Sequence, residues 1–426
     1  MTLSTKKDKG VRIMSKVIHA AGIDLTDEYA QISYILSGES EPQSLTVNPE
    51  EKRYLIPALL YYREENDTWY AGDEALFNSA TDRRSVFGFD SHIKYDRDKM
   101  TKYLELLIKL LTEMTEADID GVICVSEEDS DLESTGCIYS AMKNLGYDDE
   151  RVRVINHDEA FIYYTINQRK ELWVNDVLLF DFTKKHFKYR RFHEIKGRTP
   201  SIITVSCEDY SDDIYFKLID TELGRLKADR LFMEIAMEEM KKHIVCTSFL
   251  TGSGFYKEWG EETIREMCER RKVFKGYNLY VKGACFAAMK KYDNTAPRRH
   301  IFQCKGRTIG DVGLAIENQG KNMVISLSES GTNWYEAGAE AECIIDNTDR
   351  IKLVMVSSKN TASYEKYISL KDFPKRPNKT TKVKITLGYK NDNDLEIIVK
   401  DMGFGELFKA SGITVKETVN MKELFS

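Results

Sequence analysis

The sequence predicts a mixed α/β region of two similar halves over residues 17–295, followed by a β-sandwich domain over residues 300–405. Three observations carry this expectation. A strand–acid–turn–strand unit occurs twice, at VIHAAGIDLTDEYAQISYIL (17–36) with Asp24 and at DVLLFDFTKKHFKYRRF (176–192) with Asp181. Strand and helix patterns alternate as far as about residue 292, as an α/β domain requires. From about residue 300, short strands separated by Asn, Asp, Gly and Ser turns replace helical periodicity, the mark of an antiparallel sandwich.

After the first hairpin, YLIPALLYY (54–62) reads as a strand. Leu104, Leu107, Ile108 and Leu111 share one face of a helix over 100–115. GVICVS (121–126) is a buried strand, followed by a helix near 131–145, the strand RVRVIN (151–156) and a helix that Asp158 is placed to cap. The second half adds the strand SIITVS (201–206), a helix over 227–242, the strand IVCTSFL (244–250) and a helix over 256–271. In the all-β part, strands are expected at 312–316, 323–327, 342–345, 351–356, 382–387 and 395–399. Residues 406–426 form a C-terminal extension, and residues 1–16 a disordered tail in which Met14 is a candidate natural start.

The chain has 426 residues, 42% of them hydrophobic, with only 7 Pro, which suits a folded protein of two or three domains. A net charge of −7 argues against coating nucleic acid. Eight Cys without a CxxC pair read as reduced thiols in the cytoplasm, not as a disulfide framework or zinc site. No apolar run reaches the roughly 18 residues needed to span a bilayer, so no membrane partner is expected.

The segment GIDL at 22–25 matches the opening of the DnaK-type heat-shock chaperones, a family with the actin-like ATPase fold, and the chain resembles that family over about residues 17–405. The best match is YISLKDFPKRPNKTTKVKITLGYKNDNDLEIIVKD (367–401), which follows strands and turns of the family's substrate-binding β-sandwich. LTGSGFYKEW (250–259) is similar to the family's glycine-rich adenosine motif, YVKGACFAAM (280–289) to its closing helix, and WYAGDEALFNSA (69–80) to a stretch of its first lobe.

The resemblance implies a two-lobed nucleotide-binding domain with ATP and Mg²⁺ in the cleft, and a sandwich that takes a peptide or protein client. Its candidate nucleotide positions here are Asp24, Thr26, Asp181, Thr183, Lys184, Gly252, Ser253, Gly254 and Gly283, with Asp24 and Asp181 the metal carboxylates. The departures fall on the chemistry. Phosphate is cradled by backbone amides that glycines leave open, yet Thr26-Asp27-Glu28 replaces Gly-Thr-Thr and Thr183-Lys184-Lys185-His186 replaces the second glycine-rich loop. A metal-shell acid falls on Lys188, the expected lysine after Val86-Phe87 is Gly88, and His157 stands where the family has a glutamate. Only about 50 residues separate the second hairpin from IVCTSFL, which implies a reduced second lobe.

The expected function is therefore a divergent chaperone-like protein with a degenerate ATPase domain and a client-binding sandwich. One alternative is an ATP-binding switch or slow ATPase with Asp24 and Asp181 on Mg²⁺ and Lys184, Lys185 or Lys188 on phosphate; another is an actin-like scaffold or polymer subunit. The reading of the two acids as turn-capping carboxylates ranks above metal binding.

Other motifs are weak. Gly252-Ser253-Gly254 lacks the third glycine of a dinucleotide fingerprint and reads as a tight turn. His157-Asp158-Glu159 reads as one cap plus solvated groups. No HExxH, Cys/His spacing, GxSxG elbow or Walker A loop is present, so zinc, NAD and haem are not expected. Nine basic residues between 359 and 390 offer a strip for acidic protein or RNA, but they read more simply as the solvent face of half-buried strands.

Overall fold

A computed structural model describes residues 16–48, 50, 53–80, 85–129, 131–269, 271–293, 299–360 and 362–426. Met14 and the expected N-terminal tail lie outside these residues, except Lys16, which already belongs to the first strand. The chain is mixed α/β and divides into two compact units, residues 1–167 with 278–295 and residues 168–277 with 296–426.

In the first unit, Lys16–Leu25 pairs antiparallel with Tyr29–Leu36 and parallel with Ala117–Glu127, which pairs parallel with Val152–Asn156. A central strand is covered on both faces, and Ala20, Ala21, Ile23 and Leu25 are all buried. Gly22 is required because a Cβ there would lie 2.4 Å from Val281 O and 2.5 Å from Cys285 N, on the helix Leu279–Tyr292. The helix Arg97–Thr115 starts at Asp96, whose carboxylate accepts from Asp98 N and Lys99 N, and buries Met100, Tyr103, Leu104, Leu107 and Leu111. The single strand expected over 54–62 is two, Ile56–Pro57 and Leu59–Arg63, in different sheets. Pro57 has no amide hydrogen to continue a ladder.

In the second unit, Asp176–Phe182 pairs antiparallel with Phe187–Ile195 and parallel with Val245–Thr251, which pairs parallel with Lys272–Lys275. Ser201–Asp209 and then His300–Gln303 complete the sheet beyond Phe187–Ile195. Both sheets thus place the first hairpin strand centrally, its antiparallel mate on one side and two parallel strands on the other. Asp24 and Asp181 are each the penultimate residue of that central strand. Two helices depart from expectation. Glu222–Lys242 starts earlier, where Thr221 caps it through Gly224 N. The helix expected over 256–271 is a 3-10 turn, Ser253–Tyr256, and a helix, Glu261–Cys268, separated at Gly260, whose φ of 74° is left-handed.

The same unit holds two four-stranded antiparallel sheets. One runs Lys321–Ser328, Gly310–Asn318, Arg350–Ser357, Ser363–Ser369; the other runs Ala339–Ile344, Lys382–Tyr389, Asp394–Gly403, Thr414–Asn420. Alternation sends Ile351, Leu353 and Met355 from the first, and Val383, Ile385, Ile397 and Val399 from the second, into one core. Ser363–Ser369 and Thr414–Asn420 escape the sequence patterning, and the second extends the sheet past residue 405. Asp401 ties down the intervening loop. It accepts from both terminal nitrogens of Arg376 at 2.7 and 2.8 Å and from Gly403 N and Ser411 N, and those hydrogen bonds hold its carboxyl well below the usual carboxylate range. Among the described residues no helix is long and apolar enough to cross a membrane.

Candidate functional site at the two hairpin carboxylates

Asp24 is 1% exposed and belongs to a side-chain cluster of the first unit. Ser126, its register neighbour on the parallel strand, donates from Oγ to Asp24 Oδ1 at 2.7 Å. His157 Nε2 lies 2.9 Å from the same oxygen. The imidazole stacks on Tyr280, with ring centroids 3.7 Å apart and planes 9° apart. The next residue after Ser126, Glu127, is also buried; Ser134 Oγ donates to it at 2.7 Å, and burial pushes its carboxyl up to about 7.

The turn after Asp24 is closed by Thr26, whose Oγ1 donates to Tyr29 O at 2.8 Å and accepts from Tyr29 N at 3.1 Å. The hydroxyl proposed for phosphate therefore serves its own turn. Gly283 belongs to a helix crossing: a Cβ there would lie 2.0 Å from Ala160 O of the helix His157–Ile166. The sequence reading of His157-Asp158-Glu159 needs correction. Asn156 caps the helix through Glu159 N, and all three following residues are buried. His157 reaches Asp24, and Glu159 pairs with Arg153 at 2.6 Å. Asp158 is not the cap.

In the second unit, Asp181 is 2% exposed and meets two basic side chains. Arg190 Nη1 donates to Oδ2 at 3.3 Å, and His186 Nε2 lies 3.4 Å from it. Thr183 closes the turn: its Oγ1 accepts from Lys185 N and His186 N, both at 3.2 Å. Threonine hydroxyls thus close both turns, and Asp24 is turned instead to Ser126 and His157. Lys184 is exposed.

The glycine motif is packed against an aromatic side chain. Gly252 has φ of 94°, and a Cβ on it would lie 2.3 Å from Phe182 O; a Cβ on Gly254 would lie 2.3 Å from the Phe182 ring. Trp259 donates from Nε1 to Gly254 O at 2.8 Å, and Phe182, Phe187, Phe232, Phe255 and Trp259 form one aromatic cluster. Ser253 opens the 3-10 turn between these glycines.

Of the predicted residues, Asp24, Thr26 and Gly283 lie in the first unit, and Asp181, Thr183, Lys184 and the Gly252–Gly254 turn in the second. Sequence reasoning missed Ser126, Tyr280 and Arg190. Ser126 and Arg190 were signalled only by alternation along their strands, and Tyr280 only by lying in the segment YVKGACFAAM (280–289). Among the described residues no three His, Cys, Asp or Glu side chains are grouped so as to hold a metal ion.

A search of curated proteins gives no match. Two families match by sequence: a domain of unknown function (DUF8552) covers residues 307–421, the two-sheet region, and the family of unknown function (DUF5716) C-terminal covers residues 41–305. Since that second match spans more than half of the 426 residues, the chain belongs to the DUF5716 C-terminal family.

Proposed function

We propose that the chain is a divergent, non-catalytic relative of the DnaK-type chaperones: a two-lobed actin-like body that does not turn over nucleotide, carrying a β-sandwich that binds an extended protein segment. The observation behind this is the use made of the hairpin acids. A carboxylate that serves Mg²⁺ turns its oxygens to the ion or its water shell. Here one oxygen of Asp24 accepts from Ser126 and lies against His157, and Asp181 lies against Arg190 and His186. Such residues do not fit a magnesium–phosphate site. The shared strand order of the two α/β sheets, with an acid at the same place in each, supports the two-lobed architecture. The aromatic packing of Gly252 and Gly254 supports a structural use of the glycine turn.

The binding surface we assign is the sheet edge Lys321–Ser328. Three of the four edge strands in this region carry charged side chains at their centres: Glu340 and Glu342, Glu365 and Lys366, Lys416 and Glu417. Lys366 also reaches Glu417 at 2.7 Å, tying together two edges from opposite sheets. Lys321–Ser328 has no charge after its first residue and exposes Met323, Val324 and Ile325 by 45, 54 and 39%. Charges protect edges against strand addition, and an uncharged apolar edge accepts it.

The test is fluorescence anisotropy of the full chain with a labelled peptide of alternating Ile and Thr flanked by lysines. Saturable binding that Val324→Lys abolishes is expected. No binding by wild type that is monomeric at the assay concentration, or equal binding by the variant, contradicts the assignment.

A further inference from the structure

We infer that the strand Lys321–Ser328 also pairs with the same strand of a second copy of this chain, antiparallel and centred on Val324, joining two four-stranded sheets into one of eight. This rests on the reading of that edge as the binding surface and names a partner for it.

The register follows from the faces. Residues opposite one another across an antiparallel pair lie on the same face. Within the sheet, Ile325 is opposite Leu314 and Met323 opposite Ile316, so Met323 and Ile325 are on the core side. Val324 is on the other side, with its Cγ1 only 2.3 Å from where a Cβ on Gly313 would be. Two copies related by a two-fold axis perpendicular to the sheet keep their faces only if a residue pairs with itself or its paired positions differ by an even number.

Centring on Val324 meets this condition. Val324 then opposes Val324, Met323 opposes Ile325 of the second copy, and Ile325 opposes its Met323. The inner face gains two apolar cross-strand pairs and the outer face a β-branched pair, which are the stabilising kinds. Lys321 opposes Leu327, so no like charges meet. The neighbouring edge Ala339–Ile344 shows the contrast. Centred on Ala341 it would set Glu340 against Glu342 of the second copy, and both of those acids already pair with Lys384 and Lys382. Isologous pairing of this kind closes as a dimer and does not propagate.

The experiment uses the full chain in a background of Cys207→Ser and Cys268→Ser, which removes the exposed cysteines. Val324→Cys should give a disulfide-linked dimer under mild oxidation, because self-opposed residues are within disulfide reach. Asn322→Cys should not, because it opposes Ser326 and the two cysteines stand about 13 Å apart along the strands. Analytical ultracentrifugation should show a dimer whose dissociation constant rises by about tenfold or more in Val324→Lys, where two like charges would oppose. Circular dichroism of Val324→Lys should match the wild type, since that side chain is half exposed.

A wild type that stays monomeric, a dimer indifferent to Val324→Lys, or equal crosslinking at both cysteine positions would overturn the proposal. A monomer that still binds the alternating peptide overturns only the second-copy pairing and leaves the edge assignment standing. A monomer that binds no peptide removes both.

Discussion

His157 Nε2 and Asp24 Oδ1 lie 2.9 Å apart in the buried interior of the first unit, although the residues are 133 positions apart in the chain. The contact joins the end of the first strand to the start of a helix, and Tyr280 holds the imidazole flat from a second helix. In this account Asp24 is a pin that fixes three elements, and catalysis is not its role.

A pin needs an acceptor more than it needs a charge. Asp24→Asn retains a carbonyl oxygen for Ser126 and His157, whereas Asp24→Ala strands both, at about 1–3 kcal/mol for each buried group left unpaired. Urea denaturation should show Ala clearly less stable than Asn. Equal losses would contradict the pin.

Arg190 and Asp181 are both almost fully buried, with side-chain exposures of 3 and 2%. Removing one member of a buried pair costs about 3–5 kcal/mol when the charge left behind has no other partner; His186, 3.4 Å from Asp181, offsets part of that here. Arg190→Leu should therefore cost more stability than the double variant Arg190→Leu with Asp181→Leu. A double-mutant cycle measures the difference, and simple additivity would show that the two do not act as a pair.

Gly283→Ala sets two effects against each other. Alanine favours a helix by about 1 kcal/mol over glycine, but the new Cβ would lie 2.0 Å from Ala160 O. Backbone cannot yield as a flexible side chain does, and overpacking costs about 1–3 kcal/mol. A net loss of stability is expected in chemical denaturation. A gain would mean that the two helices can separate freely.

Glu127 provides a pH test. Burial raises its carboxyl from 4.5 to about 7; Ser134, Lys94 and His157 act in the lowering direction and Asp131 in the raising one. A folded-state value above the unfolded one favours the protonated form. Its contribution is thus complete below the unfolded value and is lost as pH rises through about 7. Glu127→Gln stays neutral, so its stability relative to the wild type should increase between about pH 4.5 and about pH 7 and level off above that. No change in that difference would place the titration elsewhere.

The sequence shows both hairpins plainly, because period-2 alternation ending in an acid appears twice. The helix Arg97–Thr115 is equally legible from its apolar spacing. The partners of the acids are not. His157 follows an N-cap and precedes two acids, which locally describes a solvated helix start; only the long-range fold buries it against Asp24. Arg190 alternates with other basic residues on its strand, so nothing local marks it as the one facing Asp181. Ser363–Ser369 and Thr414–Asn420 carry charges at their centres because they are edges, and those charges weaken the hydrophobic signal by which strands are found.

The most direct test is calorimetric titration of the full chain with ATP and Mg²⁺, with a thermal melt alongside. A ligand at 100 times its dissociation constant stabilises a fold by about 2.7 kcal/mol, so binding registers in both. With Asp24 and Asp181 engaged by protein groups, no saturable heat and no shift in Tm are expected at millimolar nucleotide. Saturable, magnesium-dependent binding that Asp181→Asn abolishes would contradict the account and restore the two carboxylates to a metal site.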